Sequence, residues 1–221
     1  MDSRAKGGGL FIGAAIAALF YWLMKQTTNA SQAAAAPSNG ALDPSLGVQF
    51  LDWNNPVSTQ QPSIAAFLYA IRQSENGDPN IYNQYYGGSF FNDMSNHPVL
   101  TGEKQPIPLS DAMCKAAGMG PGCVTTAAGA YQITRSTWLD LQRWGDGTPL
   151  PDFSPASQDA AAIRILQHDG AYDALMNGDL TQAIAIASGR WASLPYSTAG
   201  QHPKPAQTFL AFYNDGLAAL G

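Results

Sequence analysis

The tightest constraint on this chain lies at residues 63–79. Ile64, Phe67, Leu68 and Ile71 recur there at i, i+3, i+4 and i+7, and the sequence then runs into Gly77, Asp78 and Pro79. That spacing lays four large apolar side chains along one face of an α-helix, a face that is stable only when buried against other elements. Ser63 is the expected N-cap. The Gly-Asp-Pro run ends the helix, because glycine accepts the left-handed conformation and proline cannot extend the ladder. Ser74, Glu75 and Asn76 therefore sit on the helix's C-terminal lip.

Downstream, Tyr, Phe, Gly and Asn dominate residues 80–100, and Gly87-Gly88 offers a turn, so short strands or a hairpin are predicted there. A long loop follows through Pro106, Pro108, Cys114 and Cys123. Helical character returns near Ala130. Thr134 is the expected cap of a segment that turns Trp138, Leu141 and Trp144 inward before Gly145. Ser154-Pro155 is a cap followed by proline at the first helical position, with Ile163 and Leu166 supplying apolar spacing up to Gly170. Asp179 caps a helix containing Ala183, Ile184 and Ala187, and the last helix runs from about Ala206 to Leu220. Five or six helices with one small hairpin region make an α+β fold, a mainly helical body with the hairpin at one side.

Upstream lies an uncharged stretch at 7–24, preceded by Arg4 and Lys6 and followed by Lys25. As a helix it would span about 27 Å, near the thickness of a bilayer core. Tyr21 and Trp22 suit an interfacial belt, and the N-terminal cations favour a cytoplasmic N-terminus. The expectation is a membrane anchor at 1–25, an Ala/Ser/Pro-rich linker at 26–62 with an apolar island at 48–53, and a folded domain at 63–221 outside the cytoplasm. A releasable anchor, weakened by its Gly and Ala content, and a signal peptide cleaved within Ala30–Ala36 are the alternatives.

The net charge of -5, from 11 Lys and Arg against 16 Asp and Glu, excludes a broad nucleic-acid surface. His97, His168 and His202 lack metal-ligand spacing, and there is no serine nucleophile elbow or phosphate-cradling glycine loop. No metal or cofactor is expected. Cys114 and Cys123, paired in number within a Gly-rich loop, are compatible with a disulfide outside the cytoplasm; two reduced thiols are the alternative.

Glu75 is the candidate catalytic acid. A helix C-terminus presents partial negative charge, and apolar neighbours further disfavour a carboxylate, so both effects raise its pKa. A carboxyl still protonated near neutrality is what glycosidic cleavage needs, since the bridging oxygen takes up a proton as its bond to carbon breaks. The alternative is a solvated residue at a helix end. Asp93 is the candidate second carboxylate for hydrolysis, or else a turn residue capping backbone N–H groups; Asp78 belongs to the turn. Among the aromatics near the hairpin, Phe90 is a candidate sugar-facing ring.

Six segments in order carry a family resemblance: IRQSE at 71–75, GGSFFNDMSNHP at 87–98, GAYQI at 129–133, DFSPASQDA at 152–160, GDLTQAI at 178–184 and WASLP at 191–195. Over about Ser63 to Gly221 the chain resembles the phage lambda lysozyme, or endolysin, family. The resemblance implies a lysozyme-like fold and a lytic transglycosylase cutting the β-1,4 bond between N-acetylmuramic acid and N-acetylglucosamine. The residue matching Glu75 would act as acid and then as base, giving a 1,6-anhydro product without water, metal or cofactor. It implies that Tyr131 and Gln132 line the cleft, with peptidoglycan glycan strands as the partner. Trp191 reads as core despite its place in a matching segment. The stretch after Glu75 is shorter than in the family, the cysteine-bearing loop at 101–126 is longer, and the stretch at 7–24 is additional. Host lysis, or wall penetration from a virion with other virion proteins as partners, are the expected roles; an inactive peptidoglycan-binding virion protein is the rival.

Overall fold

The computed structural model describes residues 61–145, 147–198 and 203–220. The expected anchor, the linker as far as residue 60 and the island at 48–53 lie outside them. Within them, the helix that most constrained the sequence is α1, Pro62–Asn76, with Ile64, Phe67, Leu68 and Ile71 all buried. It begins one residue before the expected cap: proline fills the first turn, where no N–H is needed, and Ser63 lies inside the helix rather than capping it. Gly77 closes it at φ 71°, with its N–H on the Gln73 carbonyl at 3.1 Å.

The caps read from sequence hold further along. Thr134 caps α3 (Arg135–Leu141), Ser154 caps α4 (Pro155–Asp169) and Asp179 caps α6 (Leu180–Ala187), each side chain accepting an N–H of the first turn. Two short helices escaped the sequence, α2 (Asp111–Ala116) and α5 (Ala171–Met176), each little more than one turn and carrying too few residues for a periodic pattern. The final helix, α7, is Ala206–Ala218, so seven helices stand among the described residues.

The hairpin expected at 80–100 is present in short form around Gly87-Gly88: Phe91 N–H donates to Asn83 O at 3.0 Å and Tyr85 N–H to Ser89 O at 2.7 Å, on either side of the antiparallel bridge Gln84↔Phe90. Its backbone also joins a further segment: Tyr86 N–H donates to Ala127 O at 3.0 Å, and Gln84 O accepts from Gly129 N at 2.8 Å. The sheet lies in the supposed loop. There β1 (Ile107–Pro108) pairs antiparallel with β2 (Val124–Thr125), with α2 and the Cys114–Cys123 disulfide between them. The fold remains α+β, a mainly helical body with one small two-stranded sheet.

Two contacts fix α1 within this body. Phe67 meets Phe209 of α7 edge to face, with ring centroids 5.3 Å apart. Further along α7, Gly216 lets the two backbones touch: a Cβ there would lie 2.9 Å from Ala66 Cα and 3.1 Å from Ala66 O. Across the core, Phe153 takes the edges or faces of Phe91, Trp138 and His97. His97 is fully buried, and burial lowers its pKa to about 4, so its ring is neutral. One ring nitrogen accepts from Val99 N–H at 3.3 Å while Nε2–H donates to Ile133 O at 3.1 Å, so the histidine is structural.

Helix propensity alone would make Gly216→Ala stabilising by about 1 kcal/mol. The close approach reverses that sign. Chemical denaturation is expected to show Gly216→Ala destabilised by roughly 1–3 kcal/mol, through overpacking against Ala66.

Candidate active site

Glu75 ends α1 with 2% of its surface exposed. The Ser193 hydroxyl donates a short hydrogen bond to its Oε1. Burial pushes the Glu75 pKa up to about 8, only partly offset by that hydroxyl and by the nearby Lys204 ammonium. The same burial lowers the pKa of Lys204 itself, against the pull of Glu75. Near neutral pH the group is therefore mainly a carboxylic acid, poised to give up its proton and to be stabilised once it has done so.

Ser193 is held by its own surroundings. Leu194 N–H closes a turn onto Trp191 O at 3.1 Å, Lys204 N–H donates to Ser193 O at 2.9 Å, and the Trp191 indole N–H reaches Tyr131 O at 3.0 Å. Trp191 is buried, as its sequence context suggested. No local pattern could link Ser193 to Glu75 across 118 residues. The WASLP segment was the only signal, and it pointed to core.

One turn back along α1, Arg72 leads a second network. Its Nε donates to Pro79 O at 2.8 Å, and its Nη1 reaches Tyr131 Oη at 2.7 Å and Asp159 Oδ1 at 3.3 Å. The hydroxyls of Tyr131 and Tyr82 donate to the same Asp159 oxygen at 2.5 and 2.9 Å. Tyr131, expected to face substrate, is thus fully buried with its hydroxyl engaged, and its ring has no face open to a sugar. It braces the end of α1. Sequence reading missed Arg72 and Asp159 because neither belongs to a patterned element face.

Asn76 and Gln132 continue the brace. Asn76 Nδ2 donates to Ala130 O at 2.9 Å, and Gln132 Nε2 donates to Gly129 O at 2.9 Å. Gln132 holds a left-handed backbone at φ 49°, uncommon for a residue other than glycine. Its Oε1 is buried and, among the described residues, has no hydrogen-bond partner. Gly129 is obligatory: at φ 79° it sits where a Cβ would fall 2.1 Å from Gln158 Oε1, the oxygen that accepts Ala130 N–H at 2.8 Å.

The hairpin candidates fall elsewhere. Phe90 is 53% exposed. Asp93 is exposed, and the Ser95 hydroxyl and N–H hold its carboxylate below the usual range, with Ser95 N on Asp93 Oδ1 at 2.9 Å. It therefore has the geometry of a turn cap. Cys114 and Cys123 form a disulfide with Cα atoms 5.7 Å apart. Among the described residues no cluster of His, Cys, Asp or Glu could hold a metal ion.

A helical body with a small sheet, and one buried carboxyl kept protonated at a helix end, is the arrangement of a lysozyme-like, glycan-cleaving enzyme. The endolysin family profile matches residues 65–220. The endolysin of Escherichia phage lambda is 32% identical over 163 residues, covering 72% of this chain and 92% of that protein. The endolysin of Escherichia phage P2 is 32% identical over 157 residues, covering 66% and 87%. The solved structure of bacteriophage lambda lysozyme complexed with a chitohexasaccharide aligns at a TM-score of 0.57 and 30% identity, over 71% of this chain and 94% of that one. This chain belongs to the endolysin family, phage enzymes that degrade peptidoglycan.

One expectation is corrected by the same findings. The membrane-anchored placement rested on the stretch at 7–24, which lies outside the described residues. Among the described residues no helix is long and apolar enough to cross a membrane. The likeness to the two phage endolysins spans nearly their whole length and brings no anchor with it. Neither a membrane-anchored location nor membrane and virion partners are carried forward.

The raised pKa of Glu75 has a consequence for stability. Between pH 4.5 and about 8 the unfolded chain holds fewer protons at this residue than the folded one, so its contribution, full below 4.5, is lost as pH rises through 8. Glu75→Gln removes that loss. The variant is expected to be more stable than wild type at pH 7 by about 3 kcal/mol, with the gap closing towards pH 4.5, as thermal or denaturant unfolding across that range would reveal.

Proposed function

We propose that the protein is a lytic transglycosylase that cuts the MurNAc–β-1,4–GlcNAc bond of peptidoglycan and leaves a 1,6-anhydro end, releasing wall fragments in host lysis. The observation that carries this reading is the buried, protonated Glu75 with Ser193 as its hydrogen-bond partner. Glu75 gives its proton to the bridging oxygen as the bond to C1 breaks. The carboxylate left behind, stabilised by the Ser193 hydroxyl and the Lys204 charge, then takes the proton of the muramoyl C6 hydroxyl as that oxygen bonds C1. Atoms balance with no water consumed.

Hydrolysis calls for a second carboxylate as nucleophile or as base for water. Asp93, the candidate for it, is exposed and has its oxygen occupied by Ser95, which favours the single-carboxyl route. Substrate contact in this reading comes from the open ring of Phe90 on an apolar sugar face, while Gln132, buried and bonded to Gly129 O, helps hold the loop at the end of α1. Tyr131 contributes by holding the end of α1. The lambda lysozyme relative is complexed with a chitohexasaccharide, which supports a glycan as the ligand here.

Digestion of purified peptidoglycan by the full-length protein in isotopically labelled water, followed by mass spectrometry, tests the route. Unlabelled anhydro ends are expected. Labelled reducing ends would establish hydrolysis instead, and release of no fragments would leave a binding protein. Glu75→Gln is expected to lose roughly a thousandfold in rate or more, since one group serves as both acid and base, while Asp93→Asn loses only a few-fold. The rate should fall as pH rises through about 8, where Glu75 gives up its proton.

A further inference from the structure

The buried acid and its hydrogen-bond partner come from separate parts of the chain, Glu75 at the end of α1 and Ser193 118 residues later. A bond between such distant groups keeps its geometry only if both are referred to one rigid body. Helix α4 meets each of them through a carboxylate. Asp159 takes Arg72 and Tyr131, which fixes the end of α1. Asp169, ten residues further along the same helix and about 15 Å away along its axis, takes the chain that leads to Ser193.

At that second point several groups close on one carboxylate. The Arg190 fork is bidentate, with Nε on Asp169 Oδ2 at 2.5 Å and Nη2 on Asp169 Oδ1 at 2.7 Å. His168 Nδ1–H adds a bond to the same Oδ1 at 2.8 Å, and its ring stacks on Trp144 with centroids 3.9 Å apart. The Arg190 guanidinium also lies 5.5 Å from the centre of that indole. Asp169 is the last residue of α4, where the helix dipole disfavours an anion. Burial disfavours it further, yet the bonds from Arg190 and His168 outweigh that and hold its pKa below the usual range. Its position is therefore explained by Arg190 and not by the helix it ends. Only Trp191 and Ala192 separate Arg190 from Ser193. Main-chain bonds stiffen that stretch: Arg190 N–H and Trp191 N–H both donate to Ala187 O, at 2.9 and 3.0 Å, and Leu194 N–H closes onto Trp191 O.

We propose that Arg190 and Asp169 are positioning residues for the catalytic acid: their ion pair ties the turn at 191–194 to α4 and so aims the Ser193 hydroxyl at Glu75 Oε1. This role rests on the reading of Glu75 as the acid, and adds to it the element that places the acid's partner. With the fork in place, the hydroxyl stays on the carboxylate through both proton transfers. Without it, the carboxylate loses that support and the proton is given up less readily.

Arg190→Lys and Asp169→Asn test this in the full-length protein, since both leave Glu75, Ser193 and Lys204 untouched. Lysine keeps the charge but lacks the planar fork, and asparagine keeps an acceptor but lacks the charge. On soluble peptidoglycan strands, kcat is expected to fall about tenfold in each while KM stays within about twofold. The alkaline limb of the rate is set by Glu75, on which Ser193 and Lys204 bear, and the Ser193 bond lowers its pKa, so the limb is expected to move up by about half a pH unit. In a Ser193→Ala background, which lacks the hydroxyl, Arg190→Lys is expected to change neither kcat nor the limb further. Wild-type kcat and limb in both single variants overturn the inference, as does a full further loss on top of Ser193→Ala. So does a uniform fall at every pH with the limb in place, matched by a loss of folded protein in circular dichroism, which marks a merely structural pair. Each of these leaves an active, Glu75-dependent wild type standing. A wild type that releases no fragments, or an active Glu75→Gln, overturns the reading of Glu75 itself and this inference with it.

Discussion

Everything in this domain turns on the burial of one carboxyl group. Removing Glu75 from water disfavours its charged form, and no cation sits in ion-pair contact with it among the described residues, so the fold keeps it by leaving it protonated. The nearby Lys204 acts through space and is itself partly desolvated, which limits what it returns. The Ser193 hydroxyl suits this arrangement because a neutral donor serves either state of the group. It satisfies an oxygen of the acid and strengthens as a charge-assisted bond when the carboxylate forms. A lysine or arginine in its place would hold the group ionised and remove the acid.

A buried acid is useful only if its oxygen points one way, and much of the surrounding structure fixes the end of α1. From one side, Arg72 and Tyr131 converge on Asp159, so that α1, α4 and the loop before α3 meet at one oxygen atom. From the other, Asn76 and Gln132 stitch the same loop through Gly129 and Ala130. The left-handed backbone of Gln132 is the cost of that arrangement, and it is held in place by the bond from Gln132 Nε2 to Gly129 O. The tyrosine and glutamine of GAYQI thus both serve the scaffold.

The helices were legible because they obey local rules. The apolar period of α1 and the caps Thr134, Ser154 and Asp179 each act within a few residues, which is what sequence inspection resolves. Glu75 was legible for the same reason, since its place at a helix end follows from Gly77. The two-stranded sheet was missed because strand pairing is decided by distant partners: Ile107 and Pro108 pair with Thr125 and Val124 in what read as a loop. Gly87-Gly88 is a genuine turn, with Tyr85 N–H on Ser89 O and Phe91 N–H on Asn83 O across it, while Tyr86 and Gln84 also bond to residues 127 and 129. Ser193 and Asp159 were out of reach for a related reason: their roles exist only through contacts with residues on other elements. Tyr131 shows the limit of a motif, which identifies a conserved-looking position but not the direction its side chain takes.

The longer segment at 101–126 could have been a flexible insertion, yet it carries the only sheet among the described residues, a capped helical turn, a disulfide and a small core of its own. A loop without function gains little from such ordering, since each fixed residue costs conformational entropy of order 1 kcal/mol or more. The ordering makes sense if position matters, and the position it fixes is that of Ala116–Gly118 across a cavity from the turn that begins at Ser193. The chemistry is then set by a carboxyl the fold keeps neutral, while a covalent bond keeps the segment across the cavity in place.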